Sequence, residues 1–167
     1  MNILLVADVS IASIIGGAER VLHEESTRLV RRGHAVRILT RRLPYHESNM
    51  EQIDGVEEHR YNCQEKFFPF FFKSIVSDCR KTFHSLEENL PFDVINFHQP
   101  FSAIGVLSVT GSCRVPCVYT CHSFSFEEYI SRSSSPKNPI EWIVHHLQVN
   151  ARKSIEQTVL KRSDQIV

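Results

Sequence analysis

Two adjacent glycines, Gly16 and Gly17, stand in "SIIGGAERVLHEES", between a short apolar run and what reads as an amphipathic helix. Glycines at a helix start let an anion reach the backbone with no Cβ in the way, and the first-turn N–H groups and helix dipole attract negative charge. The chemistry this suggests is the cradling of a phosphate or diphosphate. A plain tight turn into the helix explains the glycines equally well, and on the pair alone both readings stand. Neither G-x-G-x-x-G nor G-x-x-x-x-G-K-[ST] occurs, which disfavours a dinucleotide fingerprint and a P-loop.

Two histidines are placed where chemistry is done. His98 closes "DVINFH" and His122 closes "CVYTCH", so both are expected at the carboxyl edge of a parallel sheet, the edge at which the glycine loop also opens. One histidine there is commonly a hydrogen-bonded loop residue; two beside a glycine loop point to a site. Other candidates are weaker. "HEEST" begins like a zincin helix but has Thr27 where a second histidine is required, so no metal site is expected. Cys113, Cys117 and Cys121 lie four apart in a β-branched segment, roughly 13 Å from one neighbour to the next if it is a strand, which favours core packing over a shared metal. The Glu-Glu pairs at 24/25, 57/58, 87/88 and 127/128 diverge and read as solvated faces.

These residues need elements to hold them. Ile3 to Ala7 is a continuous apolar run, as expected of a strand buried on both faces. Ala18, Val21, Leu22, Leu29 and Val30 recur with a helical period that ends at Gly33, a fitting C′ residue, and "HAVRILT" follows as a second strand. "GVEEHRYN" reads as a third strand, and a helix is expected from about Phe71 to Leu90, with Pro69 in the turn before it. "FDVINFH" is a strand, "SAIGVLSVTGS" a small-residue helix, and "VPCVYTCHSF" a strand running into a loop. "ISRSSSPKNP" is turn-rich and precedes a helix from about Ile140 to Lys161; "SDQIV" begins one more strand.

The totals bound the answer. The 167 residues fit one domain, and 19 basic side chains balance 19 acidic ones, so no global field favours nucleic acid. "MNILLVADVS" lacks a basic leader and a cleavage site, and the five cysteines read as free thiols; a cytoplasmic location follows as the expectation, with the inner face of a membrane as a variant. "KFFPFFFK" holds five phenylalanines in six positions; it reads as core cover, with a lysine-flanked surface touching lipid or an apolar acceptor as the alternative.

Taken in order, "NILLVADVS", "GGAERVLHEESTRLVRRGHAVRILT", "DVINFHQPFSAIGVL", "VPCVYTCHSF" and "KRSDQIV" resemble the N-terminal domain of family 4 retaining glycosyltransferases of the GT-B fold. The resemblance implies an α/β fold: a Rossmann-like three-layer α/β/α domain with a mostly parallel sheet, one half of a GT-B architecture. It implies that residues 1–167 form the acceptor-side domain; the sequence departs from the family pattern in that the donor-binding C-terminal domain with its E-x7-E-type motif is absent, so the chain alone is expected to be inactive. By the same resemblance Gly16 and Gly17 approach the diphosphate of a nucleotide-sugar donor, UDP- or GDP-linked. Glu19 braces the loop, His122 contacts the transferred sugar, and His98 and Ser123 line the cleft for sugar or acceptor. No cofactor or metal is implied; the acceptor is a sugar or lipid-linked molecule, with peripheral membrane contact as a corollary. The apolar "SIASII" is expected to be exposed where the second domain would sit. Two other readings remain at this point, a free-standing nucleotide-binding Rossmann-like module and a non-catalytic interaction domain.

Overall fold

The computed structural model describes residues 1–63, 70–109 and 115–167. Pro69 and Cys113, with Phe67 and Phe68, lie outside them.

The chain opens with β1 (Asn2–Val6), whose side chains are buried on both sides of the sheet. Leu4 and Val6 join one core cluster while Ile3 and Leu5 join the other, so the strand must be covered by helices on both faces. Helix α1 (Gly17–Arg31) packs Leu22 into the second cluster and ends as the sequence predicts. Gly33 takes φ +84°, its N–H donates to Val30 O at 2.9 Å, and His34 N donates to Leu29 O at 3.2 Å, a Schellman closure that a Cβ would strain. Strand β2 (Ala35–Arg41) returns parallel to β1.

The next element departs from expectation. The single third strand is a hairpin of β3 (Met50–Ile53) and β4 (Val56–Tyr61), turned by Asp54 and Gly55 at φ 48° and 84°. Asp-Gly is the residue pair that a two-residue hairpin turn favours, so the signal for β3 was present in "QIDGVEE". Then follow α2 (Phe70–Asn89), β5 (Val94–Phe97), α3 (Pro100–Leu107), β6 (Cys117–Tyr119), α4 (Ser125–Arg132), α5 (Pro139–Arg162) and β7 (Gln165–Ile166). Helix α4 falls where a loop was expected. Phe126, Tyr129 and Ile130 fall at helical spacing, but the set spans little more than one turn and none of the eight residues is fully buried.

The sheet runs β3-β4-β2-β1-β5-β6-β7, parallel except for the β3 edge. Strand order reverses between β1 and β5, and in open α/β sheets the crevice beyond the strand ends at such a reversal is where ligands bind. Helices α2, α3 and α5 cover the face bearing Leu4, Val6 and Phe97, to which they contribute Phe83, Ala103 and Val159. Among the described residues, no helix is long and apolar enough to cross a membrane.

Helices α2 and α3 approach closely at Gly105, where an added Cβ would lie 2.7 Å from Cys79 Cβ and 2.9 Å from its Sγ. Gly105→Ala is therefore expected to destabilise the domain by about 1–3 kcal/mol through overpacking, read as a lower urea midpoint at unchanged slope.

Candidate functional site

A cavity of about 910 Å³ opens at the carboxyl ends of β1 and β5, walled by the start of α1, the start of α3, the segment after β6, and α5. It brings together Gly16, Gly17, Glu19, His98, His122 and Ser123, all of the residues singled out from sequence.

Gly16 is the N-cap of α1, in extended backbone, and its N–H donates to Glu19 Oε2 at 3.1 Å. Glu19 thus ties the loop back onto the first turn, as expected of it. The N–H groups of Gly17, Ala18 and Glu19 have no intrahelical acceptor, so they remain donors at the cavity wall. A Cβ at Gly17 would meet nothing within 4 Å, whereas one at Gly16 would lie 3.0 Å from Glu19 Oε2. Packing within the chain does not require a glycine at 17. Ile14 and Ile15 are exposed beside this loop, but Ile11 is buried at 3%, so only the second half of "SIASII" matches the expectation. Val21, part of the apolar period of α1, faces the cavity and is 43% exposed.

The loop is held from behind by a buried ion that sequence reasoning missed. Glu58, fully buried on β4, accepts from Ser10 Oγ at 2.6 Å, Ile11 N at 2.8 Å and Arg60 Nε at 2.7 Å. His46 Nδ1 accepts from Leu43 N at 2.9 Å, which leaves Nε2–H to donate to Ser10 Oγ at 3.0 Å. The reading of Glu57–Glu58 as a solvated pair is thus corrected. Glu57 is half-exposed beside Arg37, while period-2 alternation turns Glu58 inward with Val56 and Arg60.

His98 follows β5 directly; His122 lies three residues beyond the end of β6 rather than closing it. Their rings stack with centroids 5.3 Å apart, and His98 Nδ1 lies 3.1 Å from His122 Nε2. His98 is 2% exposed, His122 open to the cavity. Burial, and secondarily the neighbouring His122, push the His98 pKa down to about 4; burial lowers that of His122 as well. Behind them Asn96 Nδ2 donates to Glu25 Oε1 at 2.8 Å and lies 3.4 Å from His98 Nε2. Thr120 Oγ1 donates to Asn96 Oδ1 at 3.1 Å. Because the folded pKa is depressed, protons favour the unfolded chain. About 3 kcal/mol of stability, present above pH 6.5, is expected to be lost as pH falls to about 4. Urea titrations across that range should show the loss, and His98→Gln should flatten it.

The far wall is aromatic and cationic. Asp8, just past β1, caps α3 by accepting from Ser102 N at 2.8 Å and Phe101 N at 3.3 Å. Arg152 of α5 lies 4.5 Å from the Tyr129 ring centroid and 5.0 Å from that of Phe101. Its guanidinium makes no hydrogen bond or ion pair to the described residues, and Nε is buried without an acceptor. Burial lowers its pKa. One turn on, buried Glu156 accepts from Tyr119 OH and from Ser125 N at 3.0 Å, pinning the start of α4. Ser123 is exposed and donates to Glu128 Oε1. Of the aromatic run, Phe71 packs against the core and Phe70 is 63% exposed, so the described part of "KFFPFFFK" divides between the two readings.

Residues 15–167 match the family model described as Glycosyltransferase Family 4. No curated protein gives a significant match. Sucrose-phosphate synthase from Thermosynechococcus elongatus superposes with TM-score 0.76 at 15% identity, over 99% of this chain and 41% of that one. A second structure of that synthase, from a twinned crystal, gives 0.64 at 12% identity over 99% of this chain and 75% of that one. The catalytic domain of starch synthase IV from Arabidopsis thaliana, bound to ADP and acarbose, gives 0.50 at 15% identity, over 74% and 34%. At these identities the likeness shows the fold, a GT-B glycosyltransferase domain, and the chain spans about two fifths of the first synthase structure.

Proposed function

The chain belongs to glycosyltransferase family 4, and from that premise we propose that it forms the acceptor-side domain of a retaining enzyme that moves a sugar from a nucleotide-sugar to an acceptor hydroxyl. The observation that carries this reading is the convergence of a glycine-started helix and His122 on one cavity at the sheet's switch point. In the proposal the helix start faces the donor diphosphate and meets the charge that grows on it as the glycosidic bond breaks. Glu19 keeps the Gly16 N–H occupied, so the turn holds its shape while the next N–H groups face the ligand. His122 fixes the sugar beside them. A second Rossmann-like domain holds the rest of the UDP- or GDP-sugar, which enters as substrate without a resident cofactor or metal, and this chain alone transfers nothing.

The acceptor occupies the wall formed by Phe101, Tyr129 and Arg152. An arginine whose donors find no acceptor among the described residues suits an acceptor with an anionic group, and exposed Phe70 leaves room for one with a lipid tail. In a protein that joins this domain to its donor-binding partner, His122→Ala is expected to lower transfer at least tenfold. Unchanged turnover would remove His122 from the reaction.

A further inference from the structure

We propose that Asn96, oriented by Glu25, sets the tautomer of His98 and through it that of His122, so that His122 presents an Nδ1–H donor to the cavity rather than a lone pair. The chain of reasoning starts at the carboxylate. Ionised Glu25 can only accept, so the Asn96 atom 2.8 Å from its Oε1 is then the amide nitrogen. The Thr120 hydroxyl on Asn96 Oδ1, at 3.1 Å, agrees with that orientation. The second hydrogen on Asn96 Nδ2 then faces His98 Nε2 at 3.4 Å, and this nitrogen must offer its lone pair. Glu25 Oε2 also comes within 3.4 Å of the same nitrogen, without hydrogen-bond geometry.

His98 therefore carries its proton on Nδ1 and donates it toward His122 Nε2 across 3.1 Å. With Nε2 accepting, neutral His122 keeps its own proton on Nδ1, for which no described residue supplies an acceptor. Free histidine in water prefers the opposite tautomer, so two Nδ1–H rings in series would be a mark of this arrangement. Asn96, His98 and Glu25 are positioning residues in this account; they touch no ligand themselves. The consequence for the reaction rests on His122 facing the sugar: it would donate a hydrogen bond to a sugar oxygen and could not take a proton through Nδ1. The tautomer itself does not depend on that reading.

Two-bond ¹H–¹⁵N correlation spectra of the ¹⁵N-labelled chain at neutral pH test the proposal, with His98→Gln and His122→Gln assigning the two rings. Both rings are expected as Nδ1–H. In Asn96→Leu, His98 Nε2 is left with Glu25 alone, and both rings are expected to switch to Nε2–H while the backbone amide spectrum keeps its dispersion. His122 protonated on Nε2 in the wild-type chain would overturn the inference, and that spectrum needs no variant to fold. A folded Asn96→Leu chain with both tautomers unmoved would overturn the part assigned to Asn96. In the two-domain protein, Asn96→Leu is expected to lower kcat about tenfold with KM little changed. A tautomer switch without loss of kcat would leave the relay standing and remove His122 from the sugar site.

Discussion

Gly17→Val, made in a protein that joins this domain to its donor-binding partner, is expected to lower kcat/KM about 100-fold while the melting temperature moves by no more than a few degrees. The two halves of that expectation have separate causes. A Cβ at position 17 meets nothing within 4 Å, and the residue begins a helix, where valine is no less favourable than glycine, so folding has no reason to suffer. The proposed donor diphosphate, however, must come within hydrogen-bonding distance of the N–H groups there, and a branched side chain occupies that approach. Losing one preorganised donor to developing charge costs about 3 kcal/mol in well-measured enzymes, the scale of the predicted drop. Gly16→Val is the less informative variant, because its Cβ would crowd Glu19 Oε2 and disturb the turn as well as the ligand. Steady-state kinetics beside a thermal melt check the pair of expectations; a Gly17→Val enzyme with wild-type kcat/KM would remove the glycine loop from donor binding.

The second large effect concerns folding. Glu58→Ala is expected to destabilise the chain by about 3–5 kcal/mol, because it leaves Arg60, itself 3% exposed, without its buried carboxylate partner. It also strips the acceptors from Ser10 Oγ and Ile11 N, which anchor the loop ahead of Gly16. Glu51, 2.6 Å from Arg60 Nη2 and half-exposed, compensates only in part. The charge argument makes a further demand: Glu58→Ala combined with Arg60→Met should recover a substantial fraction of the loss, since no buried charge is then left unpaired. Urea unfolding of the two single variants and the double variant measures this. Losses that simply add would show that the Ser10 and Ile11 contacts, rather than the ion pair, dominate at this site.

Much of the frame was legible because it rests on local signals. The run from Ile3 to Ala7, the glycine at 33 and the apolar period of α1 each follow from a backbone or burial rule that operates within a few residues. Helix α5 was equally plain: Asn138 caps it by accepting from Glu141 N at 2.8 Å, and Pro139 takes the first turn. Helix α4 was not, because its start is fixed by Glu156, 31 residues further along the chain. The same distinction divides the site. Gly16, Gly17, His98 and His122 announce themselves by type and place at strand ends. Asn96 and Arg152 matter through partners brought to them by the sheet and by α5, and nothing near them in sequence says so. Glu58 and Arg60 carried a usable hint, opposite charges two apart on a strand whose alternate residues are buried. The histidine pair shows how far edge placement carries: His122 is displaced three residues from the end of β6, yet its ring still reaches His98.

The central claim is that this cavity is one wall of a site that transfers sugar from a nucleotide-sugar. The direct measurement is of nucleoside diphosphate release by the two-domain protein supplied with UDP- and GDP-sugars and a panel of hydroxyl acceptors with and without an anionic group, with the glycoside formed identified by NMR. The account predicts acceptor-dependent release of diphosphate in step with a glycoside that keeps the donor's anomeric configuration, and a loss of both in Gly17→Val. Glycoside formation with inverted configuration, or acceptor-dependent release that Gly17→Val leaves untouched, would contradict it.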